Sequence, residues 1–75
     1  MKPSKSVETA VDAMKIAKKA VLEAGYLFHR VREARREGDI WIVEVSTIGR
    51  EYIVKIDASD GRVIEFVEWR GEEAS

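Results

Sequence analysis

"IWIVEVSTIGREYIVKIDASDGRVIEFVEW", residues 40–69, decides the fold. Apolar residues recur at every second position, the period of a strand with one buried face. In "IWIVEVSTI" (40–48) that spacing puts Trp41, Val43 and Val45 on one face, and in "EYIVKID" (51–57) it does the same for Tyr52, Val54 and Ile56. Gly49-Arg50 is the expected hairpin connection, the glycine supplying a positive φ. Ala58–Gly61 turns the chain again, and "RVIEFVEW" (62–69) is the last strand. Parallel neighbours need long crossovers, so strands joined by such short turns are antiparallel.

Upstream the period changes to that of a helix. Val7, Val11, Met14, Val21 and Leu22 share a side between Val7 and Ala24. Ser6 is the expected N-cap, Glu8 lies where the helix dipole favours a negative charge, and Gly25 is the left-handed stop. Lys15, Glu8, Lys19, Asp12 and Glu23 form a narrow polar stripe, so the apolar arc exceeds the roughly 100° that one sheet requires. An edge of Ala10, Ala13, Ala17, Ala20 and Ala24 runs towards Ile16. It has two readings: good helix formers without further meaning, or an edge that meets a second surface. Residues 26–34, "YLFHRVREA", alternate roughly as a further strand, and "RREGD" (35–39) follows as its turn. The expected fold is α+β, one N-terminal helix packed on a three- to four-stranded antiparallel meander. Residues 1–75 form a single domain in this reading, with 1–5 and 71–75 as flexible tails.

A helix ending in glycine, then "WIVEV", a turn and "REYIVKIDASDGRVI", resembles the PepSY domain family. The family's core pairs an aromatic-led strand with Y-x-V-x-I-D-A-x-x-G-x-V, matched here by Tyr52, Val54, Ile56, Asp57, Ala58, Gly61 and Val63. The resemblance spans nearly the whole chain and is strongest over Trp41–Val63. It implies a small non-catalytic module of the kind found in propeptides of thermolysin-type metalloproteases, in standalone secreted proteins and beside membrane segments. An inhibitory or chaperone-like role towards peptidases belongs to the same implication. The sequence shows no signal peptide, attached peptidase or membrane segment beside the domain, which leaves the fold inference standing apart from that role.

Seventy-five residues with 45% hydrophobic content allow one core, too small to enclose a deep cofactor cavity as well. No cofactor is expected. Zero cysteines exclude disulfides and thiolate metal sites, and a single histidine, His29, excludes a multi-histidine cluster within one chain. A net charge of −1 lacks the basic excess of a dominant nucleic-acid binder. No run approaches the roughly 20 apolar residues of a membrane span, and the polar start "MKPSKS" has no signal-peptide core behind it. The expected setting is soluble and cytoplasmic. The chain also lacks asparagine and glutamine and is rich in Glu, Lys and Arg, the composition expected of a thermophile protein; the alternatives are chance in a short chain and an engineered sequence.

Asp57, Asp60, Gly61 and Glu68 superficially suggest a calcium loop, but the register fails. Such a loop needs glycine sixth and flanking helices; here glycine is fifth, Arg62 sixth, and the flanks are strands. The reading is a hairpin tip, in which Asp57 accepts backbone donors. Nothing on an exposed turn would move its carboxylates towards neutrality, and His29 has no nucleophile partner, so no catalytic or metal-binding residues are assigned. The cluster Arg30, Arg32, Arg35, Arg36 carries an alternative function, single-stranded nucleic-acid binding by phosphate contact and stacking beside Phe28. Glu33, Glu37 and Asp39 argue instead for an ion-paired edge strand. With the Trp41 and Tyr52 faces under the helix, Ile40, Ile42, Ile48 and Ile53 point away. Ile64 and Phe66, or else Val63, Val67 and Trp69, join them. A solvated face should be polar at these positions. Together with Ile16 they are the expected protein interface, occupied most simply by a second copy in a symmetric homodimer.

Overall fold

The structure is a computed structural model that describes residues 6–69; the expected tails 1–5 and 71–75 lie outside the described residues. One helix, α1 (Ala10–Glu23), precedes four strands: β1 (His29–Glu37), β2 (Ile40–Thr47), β3 (Arg50–Asp57) and β4 (Val63–Glu68). They form one antiparallel sheet in the order β1-β2-β3-β4, with α1 across its inner face. The α+β meander is as the sequence implies, with four strands rather than three.

The period-two pattern becomes the core directly. Val43, Val45, Val54 and Ile56 are fully buried beneath the helix, with Trp41 and Tyr52 nearly so. Phe66 joins them from β4 opposite Val54 and stands edge-on to Tyr52 with ring centroids 5.4 Å apart. Tyr26 adds a tilted ring at 5.1 Å from Tyr52, and the two hydroxyls meet at 2.9 Å, so each polar tip has a partner inside an apolar site. That hydrogen bond, followed by burial, raises the Tyr26 pKa.

The helix begins later than its periodicity suggests, at Ala10 instead of Val7. Thr9, in extended conformation, is the N-cap: its Oγ1 accepts from the Asp12 amide at 3.1 Å, and Asp12 is the acidic residue of the first turn. Ser6 instead donates to Glu8. Val7 is the reason for the delay. Its N–H donates to the Ala58 carbonyl at 2.8 Å, its carbonyl accepts from Trp41 Nε1 at 2.7 Å, and its side chain is buried in the core. A residue held in this way to two strand ends cannot also open a helix. The helix ends where the sequence places the stop. Gly25 donates to Leu22 and Tyr26 to Val21, the paired bonds of a Schellman motif, with Gly25 at φ 101°.

The buried helix residues are Ala13, Ala17 and Val21, with Ala10 and Ile16 packed against the same core. Val11, 58% exposed, and Leu22 lie off the sheet. The alanine edge is therefore the surface that meets the sheet, because small side chains let the helix backbone approach it closely.

Three local expectations shift. "RRE" (35–37) belongs to β1, which starts at His29 and leaves Tyr26–Phe28 outside it. The turn is only Gly38-Asp39, since Glu37 pairs with Ile40. Thr47 pairs with Arg50, so the β2–β3 turn is Ile48-Gly49 rather than Gly49-Arg50, with Gly49 at φ 79°. Ile48 thus stands at a hairpin tip and not on the sheet's outer face.

The β3–β4 connection is the hairpin tip the sequence suggests. Asp57 Oδ1 accepts from the Ser59 amide at 2.8 Å and the Ser59 hydroxyl at 2.6 Å, and Asp60 Oδ1 accepts from the Arg62 amide at 2.9 Å. The Ser59 bonds hold the Asp57 carboxyl below its usual pKa of 3.8. A lowered folded-state pKa means the unfolded chain binds the proton more tightly. The contribution is thus complete above the unfolded value and disappears as the pH falls through the folded one. Asp57→Asn should lower the thermal midpoint at neutral pH and flatten its decline below about pH 4; identical acid profiles for the two proteins would show that Asp57 contributes nothing.

Candidate functional site: the outer face of the sheet

The outer face follows from register. Across the sheet its rows are Glu37–Ile40–Asp57, then Arg35–Ile42–Lys55–Glu65, then Glu33–Glu44–Ile53–Val67. Trp69, whose amide donates to the Glu51 carbonyl at 2.7 Å, extends the β4 side past Val67. Ile40, Ile42, Ile53, Val67 and Trp69 thus form a diagonal apolar band from the start of β2 to the end of β4. Of the two β4 sets compatible with the sequence, Val67 and Trp69 belong to this face, whereas Val63 pairs with Ile56 and Phe66 turns inward. Ile64 falls at a register shift between Lys55 and Ile56.

Charged residues flank the band as ion pairs. Arg35 meets Glu37 and Glu44 at 3.3 Å and Glu33 at 3.6 Å. The hydrogen bond to Glu37 and then that to Glu44 raise its pKa further, so it stays charged at any working pH. Arg32 reaches over β2 to Glu51 at 2.8 Å, and Lys55 pairs with Glu65 at 3.7 Å. Such exposed pairs contribute little stability individually. Their geometric effect is larger: Ile42, opposite Arg35 and Lys55, is only 8% exposed although it lies outside the helix–sheet core. Long polar side chains extended over a sheet cover apolar surface with their stems. Ile40 and Ile53 are half-buried, while Val67 and Trp69 are exposed. No described element lies over this face.

The structure brings Ile40, Ile42 and Ile53 together but not the other two expected interface residues. Ile48 is at the β2–β3 tip, and Ile16 is on the helix, across the sheet, against the core. The arginine cluster is divided as well. Arg32 and Arg35 are tied to carboxylates, whereas Arg36 donates to the Gly38 carbonyl at 2.8 Å and lies 5.9 Å from the Trp41 ring centroid, a cation–π contact. A register shift between Val31 and Glu33 breaks the alternation that separates these positions. His29 Nδ1 is 3.2 Å from the Tyr26 carbonyl.

Residues 9–67 match the family described as peptidase propeptide and YPEB domain, PepSY. The chain belongs to the PepSY family. No curated protein and no solved structure matches it. PepSY domains are generally small non-catalytic modules. The match begins at the Thr9 N-cap and closes on Val67, so it includes α1 and all but the last residue of β4. Its recognisable letters are the structural ones: Tyr52, Val54 and Ile56 line the core, and Asp57 with Gly61 shapes the hairpin tip. No helix among the described residues is long and apolar enough to cross a membrane.

Sequence reasoning placed Leu27 and Phe28 in a strand, and so missed Leu27 as a surface feature and read Phe28 only as an aromatic beside the arginine cluster. Two consecutive bulky apolar residues between a helix-stopping glycine and the first charged strand positions were the available signal. Both are strongly exposed, beside Ile48.

Proposed function

We propose that this PepSY domain is a non-enzymatic protein-binding module that uses the outer face of its sheet, with a second copy of the chain as the simplest occupant. The observation supporting this is the diagonal band of Ile40, Ile42, Ile53, Val67 and Trp69 over three strands, which no element among the described residues covers, only the stems of Arg35 and Lys55 at Ile42. Contiguous apolar surface rimmed by polar groups marks contact sites. A two-fold axis through the band would lay one copy's diagonal on the other's, as an isologous interface requires. The family's description includes peptidase propeptides, so a peptidase is the alternative protein occupant of the same face.

Amide chemical shifts followed on dilution test this reading. The expected changes map to β2, β3 and β4 residues of the outer face and leave α1 still. Changes confined to α1, or none over the whole range, would remove the second copy as occupant. In that case, inhibition of a thermolysin-type peptidase becomes the discriminating assay.

A further inference from the structure

The most exposed of the large apolar side chains are not on the outer face. They stand at one end of the sheet, where Leu27 and Phe28 lead from α1 into β1 and Ile48 tips the β2–β3 hairpin; these three are 72%, 72% and 79% exposed. Between the two segments lies a hollow of about 310 Å³, at the small end of ligand-pocket sizes, floored towards Tyr26 and bounded by Arg50. A second hollow of about 270 Å³ shares Phe28 and Ile48 and is bounded by His29 and Arg30. The lining of the two hollows contains two guanidinium groups and an imidazole and no carboxylate, in a chain that carries more acidic than basic residues overall. Arg50 has only a loose, exposed pair with Glu68 at 3.6 Å, and Arg30 has no ion pair among the described residues. A site of this kind complements an apolar group with negative charge beside it.

We infer that this end of the sheet is a second docking site, which takes a peptide segment carrying a bulky apolar residue flanked by acidic ones. The apolar side chain enters between Phe28 and Ile48, and the flanking carboxylates meet Arg30 and Arg50. A protein segment fits better than an anionic lipid surface, because the site offers only two arginines, whereas polybasic lipid sites present clusters of four or more. This inference is separate from the outer-face reading, since none of its residues belongs to the diagonal band.

The test uses the full chain and two blocked peptides, acetyl-Glu-Phe-Glu-amide and acetyl-Lys-Phe-Lys-amide, followed by amide chemical shifts. The acidic peptide should give saturable shifts at Leu27, Phe28 and Ile48, while the basic one gives none. Phe28→Ser should weaken binding roughly tenfold or more, as loss of a central anchor does. Arg30→Gln should weaken it roughly two- to fivefold, the range of an exposed charge pair. Both positions are exposed, and circular dichroism establishes that the variants remain folded. An Ile53→Lys variant should bind the acidic peptide unchanged, which separates this site from the outer face. Equal shifts from both peptides, or undiminished binding by Phe28→Ser, would overturn the proposal. So would inert peptides combined with Phe28-dependent pelleting on phosphatidylserine vesicles, an outcome that assigns the end to a lipid surface.

Discussion

Ile56→Ala is expected to cost about 2–5 kcal/mol of folding free energy. Ile56 is the largest fully buried side chain and lies on an interior strand, pairing with Trp41 on one side and Val63 on the other. Truncation removes its transfer free energy and leaves a cavity that the paired strands cannot collapse into without breaking register. A chain of this size has roughly 4–11 kcal/mol in total, so the loss takes a large share of it. Urea denaturation monitored by Trp41 and Trp69 fluorescence should show a markedly lower midpoint with little change in slope. A shift below about 0.5 kcal/mol would mean that Ile56 is not central to the core.

Ala17→Leu should destabilise by about 1–3 kcal/mol although it adds apolar surface and keeps a good helix former. Ala17 has no exposed surface and faces the sheet between Ala13 and Val21. The added atoms have nowhere to go unless the helix lifts from the strands. Val11→Leu, at an exposed position of the same helix, is the control and should change stability by no more than about 0.5 kcal/mol. Equal behaviour of the two variants would show that the alanine edge is not the contact surface.

That pair of variants marks where the sequence is legible. Positions 40–57 alternate, and the turns up to residue 69 are short, so strand order, the inward sets of β2 and β3 and the antiparallel sense follow from local chemistry. The helix stop at Gly25 is also local. The helix start is not: Val7 fits the helical period, and only its bonds to Ala58 and Trp41 hold it extended. Nor does the apolar arc of α1 tell which of its edges packs, because close approach, not hydrophobicity, selects Ala13 and Ala17. β1 was obscured by its arginines, whose partners Glu44 and Glu51 lie 9 and 19 residues away.

The outer face shows the same division. Alternation places Ile40, Ile42 and Ile53 there, and the β3–β4 register adds Val67 and Trp69, which sequence left open between two sets. Ile48 was displaced because the turn is Ile48-Gly49 rather than Gly49-Arg50, which takes Ile48 out of β2 and leaves the faces of β3 as alternation sets them. The Ile48 tip then joins Leu27 and Phe28 at the end of the sheet, a juxtaposition that appears only once the helix–β1 connection and the hairpin are placed side by side.

Mass in solution by light scattering, over a range of concentrations, tests the outer-face reading most directly. The apparent mass should rise from the 8.5 kDa of one chain towards twice that value, and should stay at 8.5 kDa for a folded Ile53→Lys, Val67→Lys variant. A single-chain mass at every concentration would contradict the second copy as occupant, and a dimer that the two lysines leave intact would contradict the outer face as its interface.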